Sequence, residues 1–226
     1  MSTSSGAPNA FDPERAILFD LDGTLVESGP SITASIRHAL AAIDGPQLDE
    51  ATLRSFIGPP LRESFRDMAG LEGAALDQVV KIYREHQLNV AINMVELYPG
   101  IADLLADLRH AGTPLAVATS KQTQNARLVL EHTEILDHFE VVSGAEPGRM
   151  EKRHSIETAR DHLAQTGVDL SDAVMIGDRI HDIAGAAHFE MTCFAVTWGY
   201  GTAEEWQQAD KIAESVGQLR TFLLRD

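Results

Sequence analysis

With one cysteine in 226 residues, the chain cannot form an internal disulfide, which suits a reducing, cytoplasmic setting. That residue, Cys193, lies in the apolar run Thr192-Cys-Phe-Ala-Val196 and is expected to fill a core rather than to act as a nucleophile. No apolar run approaches the ~20 residues that a membrane-spanning helix needs. The opening stretch from Met1 to Asp12 has neither a basic patch nor an apolar segment, so it reads as a frayed tail and not as a secretory signal. Repeats and low-complexity segments are also missing. Basic residues are scarce: 18 Lys and Arg stand against 34 Asp and Glu, a formal charge of −16. Such a chain lacks the positive footprint of a general nucleic-acid binder.

What is present is the composition of a globular protein, 44% hydrophobic and 23% charged, with length enough for one large core or for a core and a smaller companion. Short apolar runs at 16–19, 115–118, 139–142, 173–176 and 192–196 alternate with stretches of helical periodicity. That alternation predicts a parallel sheet covered on both faces, whose ligands bind beyond the carboxyl ends of the strands. Residues 28–95 break the pattern. Ile32, Ile36, Leu40 and Ile43 share one helical face, and Asp44-Gly45-Pro46 stops that helix. Asp49 is placed to cap a short helix through Phe56, and Pro60 suits the start of a third. Leu76, Val79, Val80, Tyr83, Val90 and Ala91 line a fourth and longer helix.

The chemistry sits at the ends of the apolar runs. Residues 17–25 read Ile-Leu-Phe-Asp20-Leu-Asp22-Gly-Thr-Leu. Two carboxylates two positions apart at a strand's end point the same way until the turn begins, and they are costly to place there without a cation. Pro114-Leu-Ala-Val-Ala-Thr119-Ser120-Lys121 is a second strand ending in hydroxyls. Lys152 opens a helical stretch through Ile156, Ala159 and Leu163. Ala173-Val-Met-Ile-Gly177-Asp178-Arg179-Ile-His181-Asp182 is a buried strand followed by two aspartates four residues apart.

These four stations, in this order, resemble the motifs of the haloacid dehalogenase superfamily in its aspartate-nucleophile phosphatase branch, and the resemblance runs from residue 16 to about 200. Ser28-Gly-Pro, Ile57-Gly-Pro-Pro-Leu and Trp198-Gly-Tyr-Gly201 are similar to the phosphoglycolate phosphatase and 5′-nucleotidase-like group. The resemblance implies a Rossmann-like, doubly wound parallel sheet formed by 1–27 and 96–226, with an inserted four-helix cap over 28–95. It implies that Asp20 attacks phosphorus, that Asp22 serves as acid and then base, and that Thr119, Ser120 and Lys152 bind the phosphoryl oxygens. It further implies Mg²⁺ held by Asp20, by Asp22 through its carbonyl, and by Asp178, with Asp182 in support. Arg62, after the Gly-Pro turn, is the candidate for substrate selection.

Lys121 is open between the phosphate and the surface, and His181, with no second histidine at ligand spacing, is expected to be solvated. The implied partner is a small phosphate monoester, handled by a monomer or a homodimer. Glu27 replaces the family's usual Asp, and the 144–151 loop is shortened. A sugar phosphomutase of the β-phosphoglucomutase type is the alternative, though Ile32 stands where its relatives carry a cap histidine. A non-catalytic binding protein on the same fold is another, and it would be expected to have lost one of the charged positions.

Overall fold

In the computed structural model, which describes residues 15–224, the first apolar run forms strand β1 (Ile17–Phe19), buried along its length. The expected tail lies outside the described residues. A short strand β2 (Val26–Glu27) follows, and the chain then departs into helices α1 (Gly29–Ala41), α2 (Glu50–Ser55), α3 (Leu61–Ala69) and α4 (Gly73–Asn89). It returns through β3 (Glu96–Leu97), which pairs antiparallel with β2, Val26 opposite Leu97 and Glu27 opposite Glu96. Asp49 caps α2 by accepting from the Thr52 amide at 2.8 Å, and α3 begins directly after Pro60. Isolated short helices are marginal in water, so the four are held by burying Ile36, Leu53, Phe65, Val79 and their neighbours in a cluster of their own. Val90 is not part of it. Helix α4 ends at Asn89, a 3₁₀ turn over Ala91–Met94 follows, and Val90 is left 57% exposed.

From there helices and strands alternate: α5 (Ile101–His110), β4 (Leu115–Gln122), α6 (Thr123–His132), β5 (Val141–Ala145), α7 (Lys152–Gln165), β6 (Val174–Gly177), α8 (Ile180–Ala187), β7 (Thr192–Val196), α9 (Ala203–Trp206), β8 (Lys211–Ala213) and α10 (Val216–Leu223). The sheet is parallel throughout, in the order β5-β4-β1-β6-β7-β8. The expected strand at 139–142 begins two residues later, because a 3₁₀ turn over Leu136–His138 occupies the approach. Strand β8, with two of its three residues exposed, has no apolar run to announce it.

Side-chain alternation divides the strands between two cores. Ile17, Phe19, Val117, Ile176 and Phe194 face α5, α6 and α10, whereas Leu18, Ala116, Met175 and Cys193 face α7 and α8. Cys193 is buried, as its setting predicts. From β1 the chain moves to one side of the sheet and from β6 to the other, so the topological switch point, where such sheets bind ligands, lies between these two strands.

Candidate active site

All four motifs end at this switch point. Asp20 follows β1 and ties its amide to the Ile176 carbonyl of β6 at 2.8 Å. The chain then turns tightly: the amides of Leu25 and Val26 bond back to the Leu21 carbonyl, and Gly23 donates to Val26. Gly23 has φ +87°, and any Cβ there would run into the Asp178 carboxylate. Both reasons favour glycine. Asp178 follows β6. Gly177 before it lies so close to Asp182 that a side chain would clash with that carboxylate.

Asp182 sits in the first turn of α8 and accepts from the amides of Asp178 and Arg179 at 3.1 and 3.0 Å through one oxygen. The other oxygen faces Lys152. Lys152 is 6% exposed, and its Nζ lies 2.7 Å from both Asp20 Oδ1 and Asp182 Oδ1, as charge pairs rather than well-aligned hydrogen bonds. It also donates to the Ala118 carbonyl at 3.0 Å.

Strand β4 carries an irregularity in its pairing with β5 between Ala118 and Gln122, the kind of bulge that re-aims side chains beside a site. Thr119 is buried there, and its hydroxyl accepts from the Lys121 amide at 3.2 Å. The same irregularity turns Lys121 inward, where its Nζ meets Asp22 Oδ2 at 2.9 Å and both side chains are nearly covered. Lys121 is thereby a covered partner of Asp22 rather than a free surface lysine, and it also lines the cleft described below. Each motif-one carboxylate has its own lysine.

Oxygens of Asp20, Asp178 and Asp182 lie within 4.8 Å of one another, all buried. Asp22's carboxylate is not in this group. Burial pushes the Asp20 carboxyl up to about 6, against the pull of Lys152. Burial, followed by the charges of Asp182 and Asp20, holds Asp178 well above the carboxylate range. Burial would lower Lys152, but Asp182 and Asp20 together outweigh it and keep the ammonium charged. Asp178 Oδ1 is buried without a hydrogen-bond partner, while its other oxygen accepts from the Tyr200 amide at 2.6 Å. A free buried oxygen within an all-carboxylate donor set fits a hard cation such as Mg²⁺. His181 is half-buried and held below its usual value by burial, and no second histidine joins the cluster among the described residues.

Above these groups lies a cleft of about 80 Å³. Its floor carries Asp20, Asp22, Thr119, Ser120 and Lys121, and its opposite wall comes from α1, α3, α4 and the turn before α3. Arg62 is on that wall, its guanidinium half-exposed and engaged with Asp77 at 2.5 Å. Ile32 contributes an apolar patch. The sequence reading missed Tyr83, Arg84 and Gln87 of α4, and Asn125 of α6, all of which line the cleft. It also missed Arg179, whose guanidinium bonds the Ile57 carbonyl and Glu205, joining the end of β6 to the helical wall. Trp198 is accounted for by packing: its Nε1 donates to the Thr24 carbonyl at 3.1 Å, and its ring meets Tyr98 edge-on.

Fold and site together define a doubly wound α/β enzyme with its charged residues gathered at the switch point of the sheet. Residues 17–196 match the family model for haloacid dehalogenase-like hydrolases, and the chain belongs to that family. It is 40% identical to the tyrosine-protein kinase PtkA of Mycobacterium tuberculosis, over 88% of this chain and 67% of that one. It is 36% identical to a 5′-nucleotidase of Pseudomonas aeruginosa, over 84% and 85%. A solved structure of a predicted phosphatase from Clostridium acetobutylicum superposes with a TM-score of 0.84 at 32% identity, covering 93% of this chain and 98% of that one. Among the described residues no helix is long and apolar enough to cross a membrane.

Proposed function

We propose that this enzyme is a Mg²⁺-dependent phosphatase that hydrolyses a small phosphate monoester, phosphoglycolate- or nucleotide-like, through an aspartyl-phosphate on Asp20. The observation that carries the reading is the pairing of two adjacent carboxylates with two separate lysines, Asp20 with Lys152 and Asp22 with Lys121. Neutralised in this way, one carboxylate can approach a phosphate dianion while the other keeps a proton-transfer role. Residues 28–95 act as a cap on a core made of 1–27 and 96–226.

Asp20 attacks phosphorus, and the bond from phosphorus to the ester oxygen breaks. Asp22 gives its proton to the departing alkoxide and takes one from the water that then attacks the same phosphorus. The acyl phosphate opens to inorganic phosphate and free Asp20. Thr119, Ser120 and Lys152 hold the phosphoryl oxygens, and Lys121 steadies Asp22. A Mg²⁺ bound by Asp20, Asp178 and the Asp22 carbonyl, with Asp182 in support, would supply charge neutralisation for the phosphoryl group.

Asp22→Asn tests the reading. Given p-nitrophenyl phosphate, whose leaving group hardly needs a proton, the variant should phosphorylate itself and then stall. Quenched mass spectrometry should find one phosphoryl group on the Asp20 peptide, and finding it on Ser120 would overturn the assignment.

The likeness to a tyrosine-protein kinase favours a second reading, in which the phosphoryl group passes to a tyrosine instead of water. Phosphotyrosine formed from ATP, without turnover of monoesters, would select it. The phosphomutase alternative gains nothing from the cleft, where Ile32 offers no proton carrier.

A further inference from the structure

Tyr200 touches three parts of the molecule at once. Its backbone amide fixes Asp178 Oδ2 at 2.6 Å. Its ring lies over the first-motif turn, where a Cβ on Gly23 would come within 2.7 Å of it, and packs against the hydrophobic cluster of α1–α4. Its hydroxyl donates to Glu27 Oε1 at 2.6 Å and accepts from the amides of Gly29 at 2.6 Å and Ser28 at 3.0 Å. Those two amides open α1, the first helix of the insertion. Glu27 reaches in turn to the returning strand, accepting from the Tyr98 hydroxyl at 3.2 Å through Oε2. One carboxylate and one phenol therefore gather both crossings between the sheet and the inserted helices. The hydroxyl's single proton and two lone pairs are all used.

We infer that Tyr200 is a positioning residue that couples occupation of the Asp178 site by a divalent cation to the seating of helices α1–α4. The inference rests on the proposed reading of Asp178 as a cation ligand. A cation drawn to the free Oδ1 sets the Asp178 carboxylate, the carboxylate sets the Tyr200 backbone, and the phenol carries that setting to the amides at the start of α1. Packed elements of this kind hold discrete arrangements rather than yielding continuously. Coupling of this sort is reciprocal: whatever factor the cation lends to the seated helices, the seated helices lend to the cation.

The test is amide hydrogen exchange by NMR on the full chain, with and without MgCl₂, beside calorimetric titration of Mg²⁺. In the parent protein Mg²⁺ should slow exchange at Ser28 and Gly29 by about fivefold or more. Tyr200→Phe keeps the ring and the amide that holds Asp178 but loses the hydroxyl. It should still bind Mg²⁺, with Kd raised about fivefold by reciprocity, and Mg²⁺ should no longer slow exchange at the two amides. A purely structural role would speed exchange at both amides whether or not Mg²⁺ is present, leaving the response to metal unchanged; that result overturns the inference. So does a parent protein that binds Mg²⁺ with no response at Ser28 and Gly29. A parent protein that takes up no Mg²⁺ in the calorimeter removes the cation reading itself, and the coupling with it. If Tyr200→Phe fails to fold by circular dichroism, Glu27→Gln weakens the same contact from its other end and should at least halve the response to metal; an undiminished response there refutes the coupling.

Discussion

Replacing Lys152 by methionine should separate metal binding from turnover. At an effective dielectric near 20, two unit charges 4.8 Å apart repel by about 3.5 kcal/mol, and opposite charges at 2.7 Å attract by about 6 kcal/mol. The Lys152 ammonium, touching Asp20 and Asp182 at once, thus offsets repulsion of the same order among three buried carboxylates. Methionine fills the same space without charge. Removing one partner of a buried charge set costs about 3–5 kcal/mol, held to that range because a carboxylate takes up a proton instead. In chelator the variant should unfold at lower urea, with a melting temperature lower by on the order of 10 °C. Mg²⁺ meets an uncompensated acidic site in the variant, so at a given concentration it should stabilise the variant more than the parent; a variant held at a hundredfold excess over its own Kd would gain about 2.7 kcal/mol. Turnover of p-nitrophenyl phosphate should fall to background in both conditions. Equal stability of parent and variant in chelator, or a smaller gain from Mg²⁺ in the variant, would refute this account of the charge balance.

Arg62→Ala should change KM and the ranking of substrates while altering stability by less than about 1 kcal/mol, because its pair with Asp77 is solvent-exposed; an equal loss of turnover on every substrate would remove Arg62 from selection. Arg179→Met leaves the Ile57 carbonyl without its donor, a loss of about 1–3 kcal/mol, and should raise KM roughly tenfold with the aspartyl-phosphate still trappable; an unchanged KM would show that the contact does not hold the wall. His86 stacks on His38 at 4.1 Å, and burial together with that neighbour holds it below its ordinary 6.5. At His86 the unfolded chain therefore binds the proton more readily, so His86 should subtract stability as pH falls below about 6.5. Urea midpoints of His38→Asn between pH 7.5 and 5 should show a shallower decline than the parent, and parallel curves would exclude the pair.

The parts of the molecule legible in the sequence are those whose signal is local. Strands buried on both faces leave continuous apolar runs, and Asp20, Asp178 and Lys152 could be picked out because each stands at the edge of such a run or opens a helix. Asp49 announces its cap within four residues. What escaped depends on distant partners or on a backbone irregularity. Lys121 looks like any lysine after a strand until the bulge in β4 turns it toward Asp22. Arg84 and Gln87 resemble the solvent face of α4 because the cleft they line is closed by other elements. Arg179 and Tyr200 reach 122 and 171 residues back along the chain, distances that no periodicity encodes. Val90 misled because apolar spacing continued past the point where the helix had ended.

The two-residue ribbon of β2 and β3 has a consequence for how this molecule can be rebuilt. Where the chain leaves, Glu27 stands opposite Glu96, where it returns, and the clusters packing the two faces of the sheet take no side chain from residues 28–94. An Asn-Gly hairpin turn, the natural closure for two adjacent antiparallel strands, would therefore join Glu27 to Glu96 at the loss of one core side chain, Val95. The ribbon is in effect a socket: a different helical module could be grafted between the same two glutamates, giving the unchanged carboxylates and lysines a new lid to work beneath.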